Sequence, residues 1–411
     1  MHARRIFLPL FCAALMLGAG CRTVRSFPVS ITDLPIADPP PKTPVNPCIQ
    51  WESYRPDPAH PEYTPVRTLR MNVHFVDSRD SAHNFRQAAG RQFARELIAI
   101  ANARLDTNEQ NWRSPPGTPV LPKGYRYRLA PQPVPGDDGI YFHYDDDLWY
   151  YVSQGRNQNN YNRTVVDKYA VGLDTILNVF LLVHPEDSIR SPTYRANGQG
   201  IALGTALKMA GVYELKQTPQ STVGLFNHEV GHILSLSHAW AGDGCPDTDP
   251  HPNRCWEWKP TPPCDTLATN NMMDYNAYQS ALSPCQIAKI HALLANANSP
   301  VRRCLDIDYC LPQPRRDVVI RDSVSWDGAR DLTGDLTIAP GGVLMLSCRL
   351  SMPAGSRITV QPGGRLWLNG ARLHNACGLP WKGIYAQHRR GMPAGQVLMS
   401  QKSEMENTGL R

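Results

Sequence analysis

The chain has 411 residues, 42% of them hydrophobic and 19% charged, and carries a formal charge of +6. That length exceeds one small core and implies two domains with appendages, in a composition ordinary for a soluble protein. A charge this mild, with no dense basic cluster, argues against nucleic acid as a partner.

Residues 1–20 read as an export signal: Arg4 and Arg5 precede an apolar run over 6–17 that is too short to span a bilayer. Gly18, Ala19 and Gly20 stand before Cys21 in a pattern that resembles a bacterial lipoprotein cleavage box, with Leu17 one place further out than usual. The expectation is an exported protein anchored to a bacterial membrane, periplasmic or at the cell surface, by lipid on Cys21; the alternative is an ordinary cleaved signal and a secreted chain. Cleavage there lowers the charge from +6 to +4. Residues 21–65 follow as a tether or pro-segment, with eleven prolines between 22 and 65 and no helical or strand period.

From residue 66 the pattern changes. Residues 68–76 read as a strand, 81–105 as a helix with apolar residues at helical spacing, and 125–131, 139–145 and 175–184 as further strands. Residues 198–214 supply a short edge strand and its return. A helix capped by Ser221 or Thr222 runs to about Leu234. A cysteine-rich loop follows, then a last helix whose start is marked by a Ser283/Gln286 capping box with Pro284 in its first turn. Strand, long helix and then strands imply a mixed α/β (α+β) sheet for a domain over 66–312. Residues 313–411 are β-rich: 337–346 aligns with 359–368 at six of ten places, 22 residues apart, with Pro-Gly turns between short runs. The step suggests a β-solenoid or a related sandwich.

The chemistry concentrates in residues 227–240, "NHEVGHILSLSHAW". Residues four apart share a helix face, so His228 and His232 can point at one ion, with Glu229 one step round. Catalytic zinc takes three protein ligands and a water, whose pKa it lowers to about 7. His238 is the candidate third ligand. Six residues separate it from His232, so the chain must turn near residue 234. Glu229 is then the general base and, later, the acid to the leaving amine.

His-Glu-x-x-His-x-x-Ser-x-x-His resembles the metzincin signature, in which a glycine usually stands at the place of Ser235. The glycine suits a turn at positive φ, and serine there costs on the order of 1 kcal/mol. "NNMMDYN" (270–276) resembles the metzincin Met-turn, with Met273 as its methionine. With the cysteine loop and "LSPCQIAKIH", the likeness is to pappalysin/cytophagalysin-type metzincins. It spans roughly 66–300 and is sharp only over 227–290. It implies a zinc endopeptidase with two subdomains around a cleft, a peptide or protein substrate aligned along an edge strand near 200–204, and Tyr275 swinging to stabilise the oxyanion.

Other residues carry rival readings. His228, Glu229 and His232 alone fit a solvated helix face, and Met273 alone fits core filling. Nine cysteines remain after Cys12 and Cys21: Cys48, Cys245, Cys255, Cys264, Cys285, Cys304, Cys310, Cys348 and Cys377. In an oxidising compartment most form disulfides, and the odd count leaves at least one thiol over. Cys48 either pairs or ligates zinc to hold the enzyme latent. Asp243, Asp247 and Asp249 are a candidate Ca2+ site against a solvated acidic loop. His74, His143 and His291 have no partner pattern. A different class of function also fits: a surface binding or adhesion lipoprotein with an inactive metal-binding domain and a functional β-rich C-terminus.

Overall fold

The structure, a computed structural model, describes residues 23–37 and 47–409. The expected signal, Cys21 and part of the Pro-rich segment lie outside the described residues. Among the described residues no helix is long and apolar enough to cross a membrane.

The chain opens on β1 (Arg25–Val29) and reaches β2 (Arg67–Asp77), the centre of a mixed sheet. α1 (Gln87–Asp106), β3 (Tyr125–Leu129), β4 (Ile140–Tyr144), α2 (Thr164–Tyr169), β5 (Leu177–Leu181), α3 (Glu186–Ile189), β6 (Gln199–Leu203) and β7 (Ala206–Ala210) follow. The sheet order is β3-β2-β5-β7-β6, with β4 also pairing β2. Every pairing is parallel except that of β6, which lies antiparallel to β7 on the outer edge. Side chains alternate across the strands. Leu69, Met71, Val73 and Phe75 of β2 join Val179 and Met209 in one core, while Val76, Phe180 and Ala206 face a second. α1 and α4 (Pro219–Ile233) cover the first core with stripes at helical spacing: Phe93, Leu97 and Ala101 on α1, and Val223, Phe226, Val230 and Ile233 on α4.

Two helix starts differ from expectation. α1 begins at Gln87, not 81, because Ser81 sits at φ 57°, outside helical space. α4 begins at Pro219: Thr218 Oγ1 accepts from Ser221 N at 3.3 Å, and Ser221 Oγ accepts from Thr218 N at 3.0 Å. Ser221 is thus the third residue of a capping box, not the cap. α5 (Pro284–Ala295) has the expected Ser283/Gln286 box.

After α5, twelve short strands form three sheets. They run β8 (Val318–Ile320), β9 (Ser323–Trp326), β10 (Arg330–Asp331), β11 (Leu336–Ile338), β12 (Val343–Leu346), β13 (Arg349–Ser351), β14 (Ile358–Val360), β15 (Arg365–Asn369), β16 (Arg372–His374), β17 (Ile384–His388), β18 (Gln396–Gln401) and β19 (Glu404–Met405). Each sheet takes every third strand, in parallel: β8-β11-β14-β17, β9-β12-β15-β18 and β10-β13-β16-β19. The sequence offset of 22 is the pairing register itself, with Thr337 beside Thr359 and Leu344 beside Leu366. The leucines at these positions are buried in a separate core.

The described residues of the Pro-rich segment form β1 and four short 3-10 turns, and they are closely held. β1 pairs antiparallel with β17, Ile31 and Tyr63 enter the core of the C-terminal strands, and Cys48 is bonded to Cys348. That bond corrects the latency reading: the Cys48 sulfur is not available to a metal. Cys245–Cys285, Cys255–Cys264 and Cys310–Cys377 complete the disulfides among the described residues. Cys304 is the free, buried thiol that the odd count requires, and burial pushes it up to about 11.

Candidate metal centre

α4 ends in a Schellman turn. Ser235 N donates to His232 O and Leu236 N donates to Gly231 O, both at 3.0 Å, with Ser235 at φ 65°. The serine therefore occupies the left-handed position for which a glycine would be suited, and the turn sends the chain back so that His238 faces the helix. The Nε2 atoms of His228, His232 and His238 lie 3.1–3.2 Å from one another.

The opposite ring nitrogens explain what this convergence can hold. His228 Nδ1 lies 2.8 Å from Met272 O and His232 Nδ1 2.8 Å from Leu236 O. A carbonyl only accepts, so each Nδ1 carries the proton and each Nε2 presents a lone pair. Lone pairs this close repel unless a cation sits between them, and neutral imidazole with its second nitrogen fixed by a carbonyl is a good donor for zinc. Burial pushes His228 down to about 3 and His238 down to about 4, which keeps them neutral. The donor set fits zinc.

Residues 270–276 lie beneath. Met273 is fully buried, and a Cβ built at Gly231 would collide with its sulfur, so the glycine between the two helical histidines makes room for the methionine. The same segment holds the third histidine in place: Ala239 N donates to Met273 O at 3.3 Å and Trp240 N to Asp274 Oδ1 at 2.8 Å. Asn271 Oδ1 accepts from Met273 N, and Asn276 Nδ2 donates to Asn271 O, closing the turn. The abundance of Asn and Asp in this stretch is a sequence signal for these bonds; the role of Gly231 has none, because it depends on the methionine packed against it.

Glu229 is 5% exposed, and burial pushes its carboxyl up to about 8. Its neighbour is the edge strand: a Cβ at Gly200 of β6 would sit 2.8 Å from Glu229 Oε1. The sequence did not mark Gly200 for this purpose. The Tyr275 ring is 4.9 Å from that of His238 and half-exposed, and burial with the Glu229 charge raises its phenol above the usual range. Trp240 stacks on His238 at 5.2 Å.

The acidic residues of the cysteine loop do not converge on a cation site. Asp243 accepts from Cys245 N, Thr248 Oγ1 and Gln286 Nε2, Asp247 accepts from Ser283 Oγ and Cys285 N, and Asp249 is exposed. Asp247 thus caps the start of α5, where a negative charge is favoured. A cluster of Cys245, Asp247 and Cys285 has metal-like spacing, but its two sulfurs are bonded to each other.

No family model matches the sequence, and no curated protein is similar to it. Among solved structures, mature mirolysin of Tannerella forsythia in complex with a cleaved peptide is 15% identical, with a TM-score of 0.40 over 58% of this chain and 95% of that one. A Tannerella forsythia promirolysin mutant is 14% identical, at 0.39 over 59% and 84%. Mirolysin in complex with compound 9 is 16% identical, at 0.39 over 58% and 96%.

Proposed function

We propose that the chain is a zinc-dependent metalloendopeptidase of metzincin type, resembling the pappalysin/cytophagalysin group, with its peptidase domain over 66–312. The observation that carries this reading is the meeting of three histidine Nε2 atoms beside a buried carboxyl. His228, His232 and His238 would hold the metal. Bound there, zinc supplies Lewis acidity to water and to the scissile carbonyl. Glu229, shielded from solvent, would accept a proton from the attacking water in its ionised form, which the charge of a cation held by the three histidines favours against its burial, and return it to the departing amine. Tyr275 donates its phenol proton in a hydrogen bond to the developing oxyanion. The free edge of β6 offers backbone groups to an extended peptide, which brings the scissile bond past Glu229. Residues 313–411, read as a β-solenoid, would position the enzyme, and lipid on Cys21 would anchor it.

Metal analysis and peptide-library cleavage on wild type and Glu229→Ala test the proposal together. The expected result is one zinc per chain in both, with turnover lower by on the order of 10²–10⁴ in the variant. Unchanged turnover in Glu229→Ala excludes the mechanism. Stoichiometric zinc with no cleavage by wild type favours instead the adhesion reading.

A further inference from the structure

A second polar site lies away from the histidines, between the segment after α5 and the C-terminal strands. It is a cavity of about 430 Å³, lined on one side by Arg302, Arg303 and Tyr309 and on the other by Arg349, Arg372 and His374. That volume is within the range of small-ligand sites.

Positive charge there exceeds its compensation. Parallel register sets Arg349 directly beside Arg372, a like-charge pair that repels unless balanced. Glu406 balances Arg372 through two bonds of 2.8 and 2.9 Å. Asp331, fully buried, is shared among Arg349, Arg302 and Arg67: three guanidiniums for one carboxylate. Arg303 is exposed and has no ion pair among the described residues. His374 adds a second kind of sign. It is 93% buried, since only 7% is exposed, and its Nε2 has no hydrogen-bond partner. A buried polar atom without a partner costs on the order of 1–3 kcal/mol, a cost that an acceptor would remove.

We propose that this cavity binds a small oxyanion, a phosphate, sulfate or carboxylate group of monosaccharide size or less. The guanidinium of Arg303 and the Nε2–H of His374 are the donors that no protein group uses, and the surplus charge of Arg302 and Arg349 supplies the field. Because the two walls come from different parts of the chain, the anion would link the segment after α5 to β13 and β16. Burial and the flanking arginines hold the imidazole down to about 4, so it is a neutral single donor at pH 7.

The experiment titrates the full chain with inorganic phosphate, sulfate and glucuronate, and reads the midpoint of thermal unfolding against KCl at equal ionic strength. A ligand that binds only the folded state raises the midpoint saturably. The expected result is such a rise with at least one of the three, and an apparent Kd weakened about tenfold or more in Arg303→Ala and in His374→Phe. Arg303 is exposed, so its variant should keep the midpoint of the unliganded wild type, which makes it decisive if His374→Phe folds poorly. The three anions separate phosphate-type from carboxylate chemistry. No rise beyond that in KCl, or an Arg303→Ala titration that overlays wild type, overturns the proposal.

Discussion

Single residues decide whether the third histidine reaches the other two. Ser235 holds φ 65°, a conformation that a side chain resists and glycine does not. The two hydrogen bonds of the Schellman turn and the burial of Leu236 at 4% exposure hold it there. Ser235→Gly should therefore stabilise the fold by about 1 kcal/mol, less the entropy that glycine adds to the unfolded chain, and leave zinc content unchanged. Urea unfolding of the metal-free protein measures the difference; a loss of stability would mean that the serine side chain has a role beyond its backbone. The sequence allowed this turn to be expected because the spacing of six from His232 to His238 is incompatible with one straight helix. It did not reveal how Gly231 serves the site, since a glycine in a helix is explained only by what lies against it.

At the level of elements, the site depends on how closely β6 approaches α4. Alternation and length made the strands of the sheet legible, and α5 announced itself by its capping box. The helix starts were less legible: Ser221 and Thr222 suit a cap by residue type, yet the cap is Thr218, whose side chain meets the free backbone N–H of Ser221. The crossing of β6 over Glu229 is a tertiary fact with no local pattern. Gly200 takes no positive φ, so alanine suits its backbone; the obstacle is the Glu229 side chain, whose Cγ would lie 2.5 Å and carboxyl carbon 2.7 Å from the new methyl. Gly200→Ala should push that carboxyl aside, lowering kcat/KM by on the order of 10²-fold while zinc remains bound. Gly198→Ala is the control on the same edge, because its Cβ would meet only Leu225 Cδ2 at an ordinary 3.5 Å. Equal peptide cleavage by both variants would remove the close approach from the account of catalysis.

For the molecule as a whole, the joint between the first sheet and the C-terminal strands is ionic at its centre, and the sequence did not disclose it, because Arg67, Arg302, Asp331 and Arg349 are remote in the chain. Asp331 has no exposed surface and accepts from all three arginines. Removing one partner of a buried charge cluster leaves the others uncompensated and costs more than the cluster contributes. Asp331→Asn leaves three guanidiniums facing an amide and should destabilise by about 3–5 kcal/mol at pH 7. The same arginines hold the Asp331 carboxyl far below the ordinary carboxylate range. Its unfolded value is near 3.9, so the folded state binds this proton less readily than the unfolded state does. The stabilisation is then complete above about pH 5 and declines as the pH falls below about 4 toward the folded value. Asparagine does not titrate, and the remaining carboxylates are common to both proteins. The difference in unfolding free energy between wild type and Asp331→Asn should accordingly be flat from pH 7 to about 5 and shrink below about 4. Urea unfolding across that range measures it, and a difference that stays constant into acid would show that the three arginines do not favour the ionised form of Asp331.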